Sequence, residues 1–160
     1  MRTWTDFKKT MRAEDVIFSL ARSGDLDSLR ELELDAGRID EKNEKGYSPL
    51  MLAAYNGNLE IARFLLSNGA DSNTADPAGS TVLMGAAFKG DLAMVRMLIA
   101  AGARADARND KGQTALDFAN MFGRADVARF LKSQQEKPEV FGLADILSGW
   151  SSYLFPQRRS

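Results

Sequence analysis

Lys45–Asn73 reads KGYSPLMLAAYNGNLEIARFLLSNGADSN, Ala78–Asp106 reads AGSTVLMGAAFKGDLAMVRMLIAAGARAD, and Lys111–Lys132 reads KGQTALDFANMFGRADVARFLK. Set one above another, the three align without a gap at an interval of 33 residues. A weaker copy, DVIFSLARSGDLDSLRELELDAGRID, runs from Asp15 to Asp40. A fixed period of this length marks a chain of stacked units, none of which can bury its apolar face alone.

One unit can be read from its punctuation. Asp15, Ser48, Thr81 and Thr114 recur every 33 residues, and each is a side chain that can accept from the free N–H groups opening a helix. Pro49 follows one of them at the first helical position, where its missing donor costs nothing. Nine residues after each cap stands Gly24, Gly57, Gly90 or Gly123, which tolerates the left-handed conformation that ends a helix. Each unit therefore opens with a short helix. A second helix follows, over Leu59–Ser67 in one unit, and Gly69 and Gly102 end it in the middle units. The turn formers leading through Gly46, Gly79 and Gly112 predict an extended turn or hairpin before the next cap.

Apolar positions predict how the units stack. Ile17, Leu50, Leu83 and Leu116 form one column, Leu32, Leu65, Leu98 and Leu131 a second, and Leu20, Ala53, Ala86 and Ala119 a third. Helices of about ten residues are marginal alone, so burial of these columns against neighbouring units must hold them. Asn120 stands where the other units have Ala21, Ala54 and Ala87, which predicts that the unit from Lys111 is the last.

Composition removes whole classes of function. The 160 residues include no Cys and no His, so thiol nucleophiles, disulfides, imidazole bases and nearly every zinc, haem or iron–sulfur site are excluded. No metal site and no small-molecule cofactor are expected. Lys and Arg total 21 against 22 Asp and Glu, a net charge of −1, which argues against nucleic acid as a partner. There is no Gly-rich phosphate loop and no catalytic spacing of carboxylates, serines and lysines, so the chain is read as non-enzymatic. The charged start MRTWTDFKKTMRAED lacks the apolar run of a secretory signal, and no apolar stretch is long enough to span a bilayer. A cytoplasmic location is the expectation.

The motifs SPLMLAA, TVLMGAA and TALDFAN, each followed by the glycine and leucine spacing above, resemble the ankyrin repeat family and its T-P-L-H-x-A-A signature. The resemblance covers about three quarters of the chain. It implies an all-α solenoid of helix-turn-helix units with short hairpin tips, and protein binding in place of catalysis. One departure stands out: the signature His is Met51, Met84 and Asp117, with Phe18 in the first unit. The inter-repeat hydrogen bonds of that His are then expected to be replaced by apolar filling, a use suited to flexible Met. Gly85, inside a helix where Gly costs about 1 kcal/mol relative to Ala, is read as leaving room for a neighbouring side chain.

In this family the tips and the first helices form a concave surface. By register, the helix positions just past the Ala-Ala pair give two rows, Arg22, Tyr55, Phe88 and Met121, then Ser23, Asn56, Lys89 and Phe122. Aromatics and Arg dominate binding hot spots. The expected protein-binding stripe is Tyr55, Phe88, Met121 and Phe122, flanked by Tyr47, Lys89 and Arg108. Charge is uneven along the stack. Residues 15–44 carry nine acidic and four basic side chains (net −5), and residues 78–133 carry eight basic and five acidic (net +3).

The expected organisation is an N-terminal helical extension over 1–14, repeats over 15–44, 45–77, 78–110 and 111–133, a linker over 134–139 and an amphipathic segment over 140–160. Trp4, Phe7 and Met11 share one helical face in the first of these. In the last, Leu143, Ile146, Leu147, Trp150 and Leu154 recur at helical spacing before Pro156. Three uses compete for that segment: folding back to cap the last repeat, or, as an alternative function with the repeats as a spacer, partner docking or membrane anchoring. Its polar face lacks the Lys and Arg of a membrane-surface helix, so membrane contact ranks last.

Overall fold

The computed structural model describes residues 13–32 and 38–136, with side chains from residue 16 onward. The N-terminal stripe of Trp4, Phe7 and Met11 and the tail positions Leu143, Ile146, Leu147, Trp150 and Leu154 lie outside the described residues.

Eight helices follow one another in pairs: α1 Ala13–Ser23 with α2 Leu26–Arg30, α3 Pro49–Asn56 with α4 Leu59–Ser67, α5 Val82–Lys89 with α6 Leu92–Ala100, and α7 Ala115–Met121 with α8 Ala125–Gln135. The described residues are all-helical apart from one isolated antiparallel bridge, Ala75 with Thr81. First helices pack on first helices, α1 on α3 on α5 on α7, and second helices on second helices, while each pair also packs internally. The result is two parallel rows with the core between them.

Local chemistry starts and stops these helices where the sequence places the signals. The Ser48, Thr81 and Thr114 hydroxyls accept from the N–H groups of Met51, Met84 and Asp117, each at 3.3 Å. Gly57 and Gly90 end α3 and α5 at φ 76° and 81°. The reading of Asp15 as a cap is overturned. Helix α1 begins at Ala13, two residues earlier, because Ala13 and Glu14 are good helix formers and nothing breaks the turn before Asp15.

The three columns form the core. Ile17, Leu50 and Leu83 are buried, as are Leu65, Leu98 and Leu131, and Leu20, Ala53, Ala86 and Ala119. A fully buried leucine contributes about 1.5–3 kcal/mol. The two exceptions sit at the ends of columns. Leu116 is half-buried because no described unit packs beyond α7, and Leu32 is half-buried because α2 stops at Arg30. Asn120 is exposed where Ala21, Ala54 and Ala87 are buried, in keeping with an outer face at the last unit.

At the signature position Met84 is buried and Met51 half-buried. The Met84 sulfur also accepts from the Thr81 N–H at 3.4 Å. Other side chains make hydrogen bonds between units. Asn58 Nδ2 donates to the Ala21 and Arg22 carbonyls at 2.8 and 2.9 Å, and Arg124 Nε donates to the Phe88 carbonyl at 3.0 Å. Each satisfies a carbonyl left open at the C-terminus of the preceding unit's first helix. Gly90 is required here for two reasons, its left-handed φ and the approach of Arg124 Cδ, which would lie 2.7 Å from an added Cβ.

Candidate functional site

The tips are built first, by three side chains at 33-residue spacing. Asn43 Oδ1 accepts from the N–H groups of Lys45 and Tyr47, Asp76 Oδ1 from those of Ala78 and Ser80, and Asn109 Oδ1 from those of Lys111 and Gln113. These carboxamides and the carboxylate fix the turns that edge the concave face. Sequence reasoning missed them, although their period was present as a signal.

The first helices then bring aromatic rings into one continuous ladder. Tyr55 and Phe88, at equivalent positions in successive units, stack with centroids 6.4 Å apart and planes 4° from parallel. Phe88 meets Phe122 edge-on at 4.5 Å and 84°, and Phe122 stacks on Phe118 at 6.4 Å and 21°. Lys89 Nζ stands 5.1 Å from the Tyr55 ring centre, within the range of a cation–π attraction. Phe88 is half-buried, whereas Tyr55 remains 54% and Phe122 43% exposed. Each stacked or edge-on pair adds about 0.5–1.5 kcal/mol beyond its area, so the ladder is both rigid and accessible.

Strict register would continue the row to Met121, but the structure continues it through Phe122. Helix α7 ends at Met121, and Phe122 adopts the cap conformation at φ −102°, which turns its ring onto Phe88. Met121 is 59% exposed. Phe118 is the ladder member that sequence reasoning left out. Its i, i+4 spacing to Phe122 is the signal that would have found it.

Beside the ladder lies a cavity of about 560 Å³ on the concave side. Tyr47, Tyr55 and Phe88 line it together with Met51, Leu52, Met84, Gly85 and Phe118, and the charged groups Arg22, Lys45 and Asp76 line it too. Arg108 takes another place. Its Nη1 donates to the Gly112 carbonyl at 2.7 Å, turning it back on the last tip. The reading of Gly85 is overturned: an added Cβ would meet no atom within 4 Å, so the missing side chain opens space to the cavity.

Acidic groups near this face are engaged locally. The Asp117 carboxylate accepts from the Thr114 backbone N–H and hydroxyl, both at 2.8 Å, and these bonds hold its carboxyl below the usual range. Asp76 is held in its own turn. Arg22, Lys45 and Lys89 make no ion pair among the described residues.

Paired helices in register, capped by Ser or Thr and separated by hydrogen-bonded tips, define a repeat solenoid with a concave recognition face. A family model for ankyrin repeats (3 copies) matches residues 17–109 and 72–141, and the chain belongs to that family. It is also 41% identical over 69 residues to "Ankyrin repeat domain-containing protein 29" of Danio rerio, a match covering 42% of this chain and 23% of that protein. The chain thus spans less than a quarter of that relative's length. Ankyrin repeats generally act as protein–protein interaction modules. No helix among the described residues is long and apolar enough to cross a membrane.

Proposed function

We propose that this chain is a non-catalytic binding module or adaptor that holds a partner protein on its concave face. The partner rests on Tyr55, Phe88 and Phe122, with Tyr47 and Lys89 beside them and Met121 and Arg108 towards the last unit. The observation that carries the reading is the ladder itself. Three rings from three successive units form one partly exposed apolar surface, the composition and rigidity found at binding hot spots.

The test replaces the two most exposed rings, Tyr55→Ala with Phe122→Ala, and compares affinity capture from the native cell with the unaltered protein. Circular dichroism and thermal unfolding verify that both are folded. Loss of a captured partner with the double variant is the expected result. An identical set of captured proteins from the two retires the concave-face reading.

A further inference from the structure

No neighbouring atom fills the gap at Gly85. Glycine is the poorest helix former after proline, Gly85 lies in the interior of α5, and its φ is not positive, so its backbone admits any ordinary residue. An added Cβ would meet nothing within 4 Å. A side chain added here would start in open space beside the cavity that Gly85 lines. The equivalent positions one unit back and one unit on are Leu52 and Phe118, and both line the same cavity. The row thus reads large, absent, large. The missing member leaves an apolar notch walled by Leu52 and Phe118, with Met84 beside them.

Around the cavity cations outnumber acids. Arg22 and Lys45 line it, and Lys89 lies over Tyr55. Asp76, the acidic group among the lining residues, directs Oδ1 into its own tip at 2.9 and 2.8 Å. A segment entering this cavity would meet these cations and apolar walls.

We propose that the Gly85 notch is a side-chain pocket that takes one large apolar residue from an acidic segment of a partner protein. The proposal rests on the concave-face reading above and adds the chemistry of what binds there. The apolar residue fills the space that Gly85 leaves, and its acidic neighbours face Arg22, Lys45 and Lys89. Complementary charge of this kind selects the segment and speeds its approach.

A displayed library of random twelve-residue peptides, selected on the full chain, tests it. Enriched peptides are expected to share a large apolar residue flanked by Asp or Glu. Gly85→Leu fills the notch from within and is expected to weaken them by about tenfold or more, the effect of losing one buried apolar side chain. Arg22→Glu with Lys45→Glu is expected to weaken the same peptides. Gly85→Leu should unfold at or above the temperature of the unaltered protein, and Gly85→Ala, which adds only the unobstructed Cβ, gives a second and milder filling of the notch. Peptides lost with Tyr55→Ala and Phe122→Ala but indifferent to both Gly85 variants overturn the notch and leave the concave-face reading standing. Peptides lost with the Gly85 variants alone support the notch and count against the ladder. Peptides indifferent to every variant overturn both readings, and enrichment without acidic flanks, or no enrichment, overturns this proposal.

Discussion

The two rows of helices bury similar leucines and alanines towards each other, yet they present different chemistry outward. The second helices face solvent with short-range ion pairs: Arg30 with Asp27, Arg63 with Glu60, Arg129 with Asp126, and Lys132 with Glu136. The first helices carry the aromatic ladder and the walls of the cavity. Exposed charge pairs one turn apart are worth little and mainly keep a surface soluble. Exposed rings held in place by other rings lose little freedom on binding. One row is therefore a support and the other a contact surface, although both descend from the same 33-residue unit.

The contrast can be broken at four levels. Leu98→Ala, on the buried side of a second helix, should cost about 2–5 kcal/mol, and chemical denaturation will show whether the support row is as essential as its burial implies. Phe88→Ala removes the ring that touches both Tyr55 and Phe122, and two aromatic pairs correspond to about 1–3 kcal/mol. A loss below about 0.5 kcal/mol in the same measurement would mean that the ladder is not a rigid unit.

The third level is protonation. The Asp117 carboxyl is held below its ordinary value by its bonds to Thr114, so folding favours the charged form. Its contribution is complete above about pH 4 and is lost as pH falls through the folded value. Asp25 behaves alike through its bonds to the Ser28 hydroxyl and N–H. Asp117→Asn, which still offers an oxygen to Thr114, should leave stability at pH 7 little changed and make the acid decline shallower; identical decline in both proteins would contradict this. The smallest effect is expected on the support row. Arg63→Ala with Arg129→Ala should shift stability by less than about 1 kcal/mol and leave partner capture unaltered.

The stack was legible because its signals are short-range. A hydroxyl at Ser48, Thr81 or Thr114 and a glycine nine residues later act within one helix, and 33-residue columns need only that each unit repeats the last. Asp15 shows the limit: a cap-forming residue type does not start a helix when the residues before it extend the turn. The candidate site was legible as a row of large residues and less so as a surface. Met121 has the correct register, but the end of α7 gives its place on Phe88 to Phe122. Phe118 carried a local signal in its i, i+4 spacing to Phe122, but its place in the ladder follows from the meeting of Phe122 with Phe88 of the preceding unit. Arg108 has the hot-spot type, yet its hydrogen bond to the Gly112 carbonyl holds it on its own tip.

By itself the sequence determined the family, the number of helix pairs among the described residues and the identity of the buried columns, since each follows from periodicity and capping. Only the tertiary structure decided that the aromatic rings form one ladder, that Asn58 and Arg124 hydrogen-bond to the first helix of the preceding unit, and that Gly85 opens onto a cavity. Those features depend on the distance between units, and a one-dimensional period carries the spacing of residues along the chain, not the gaps left between packed helices.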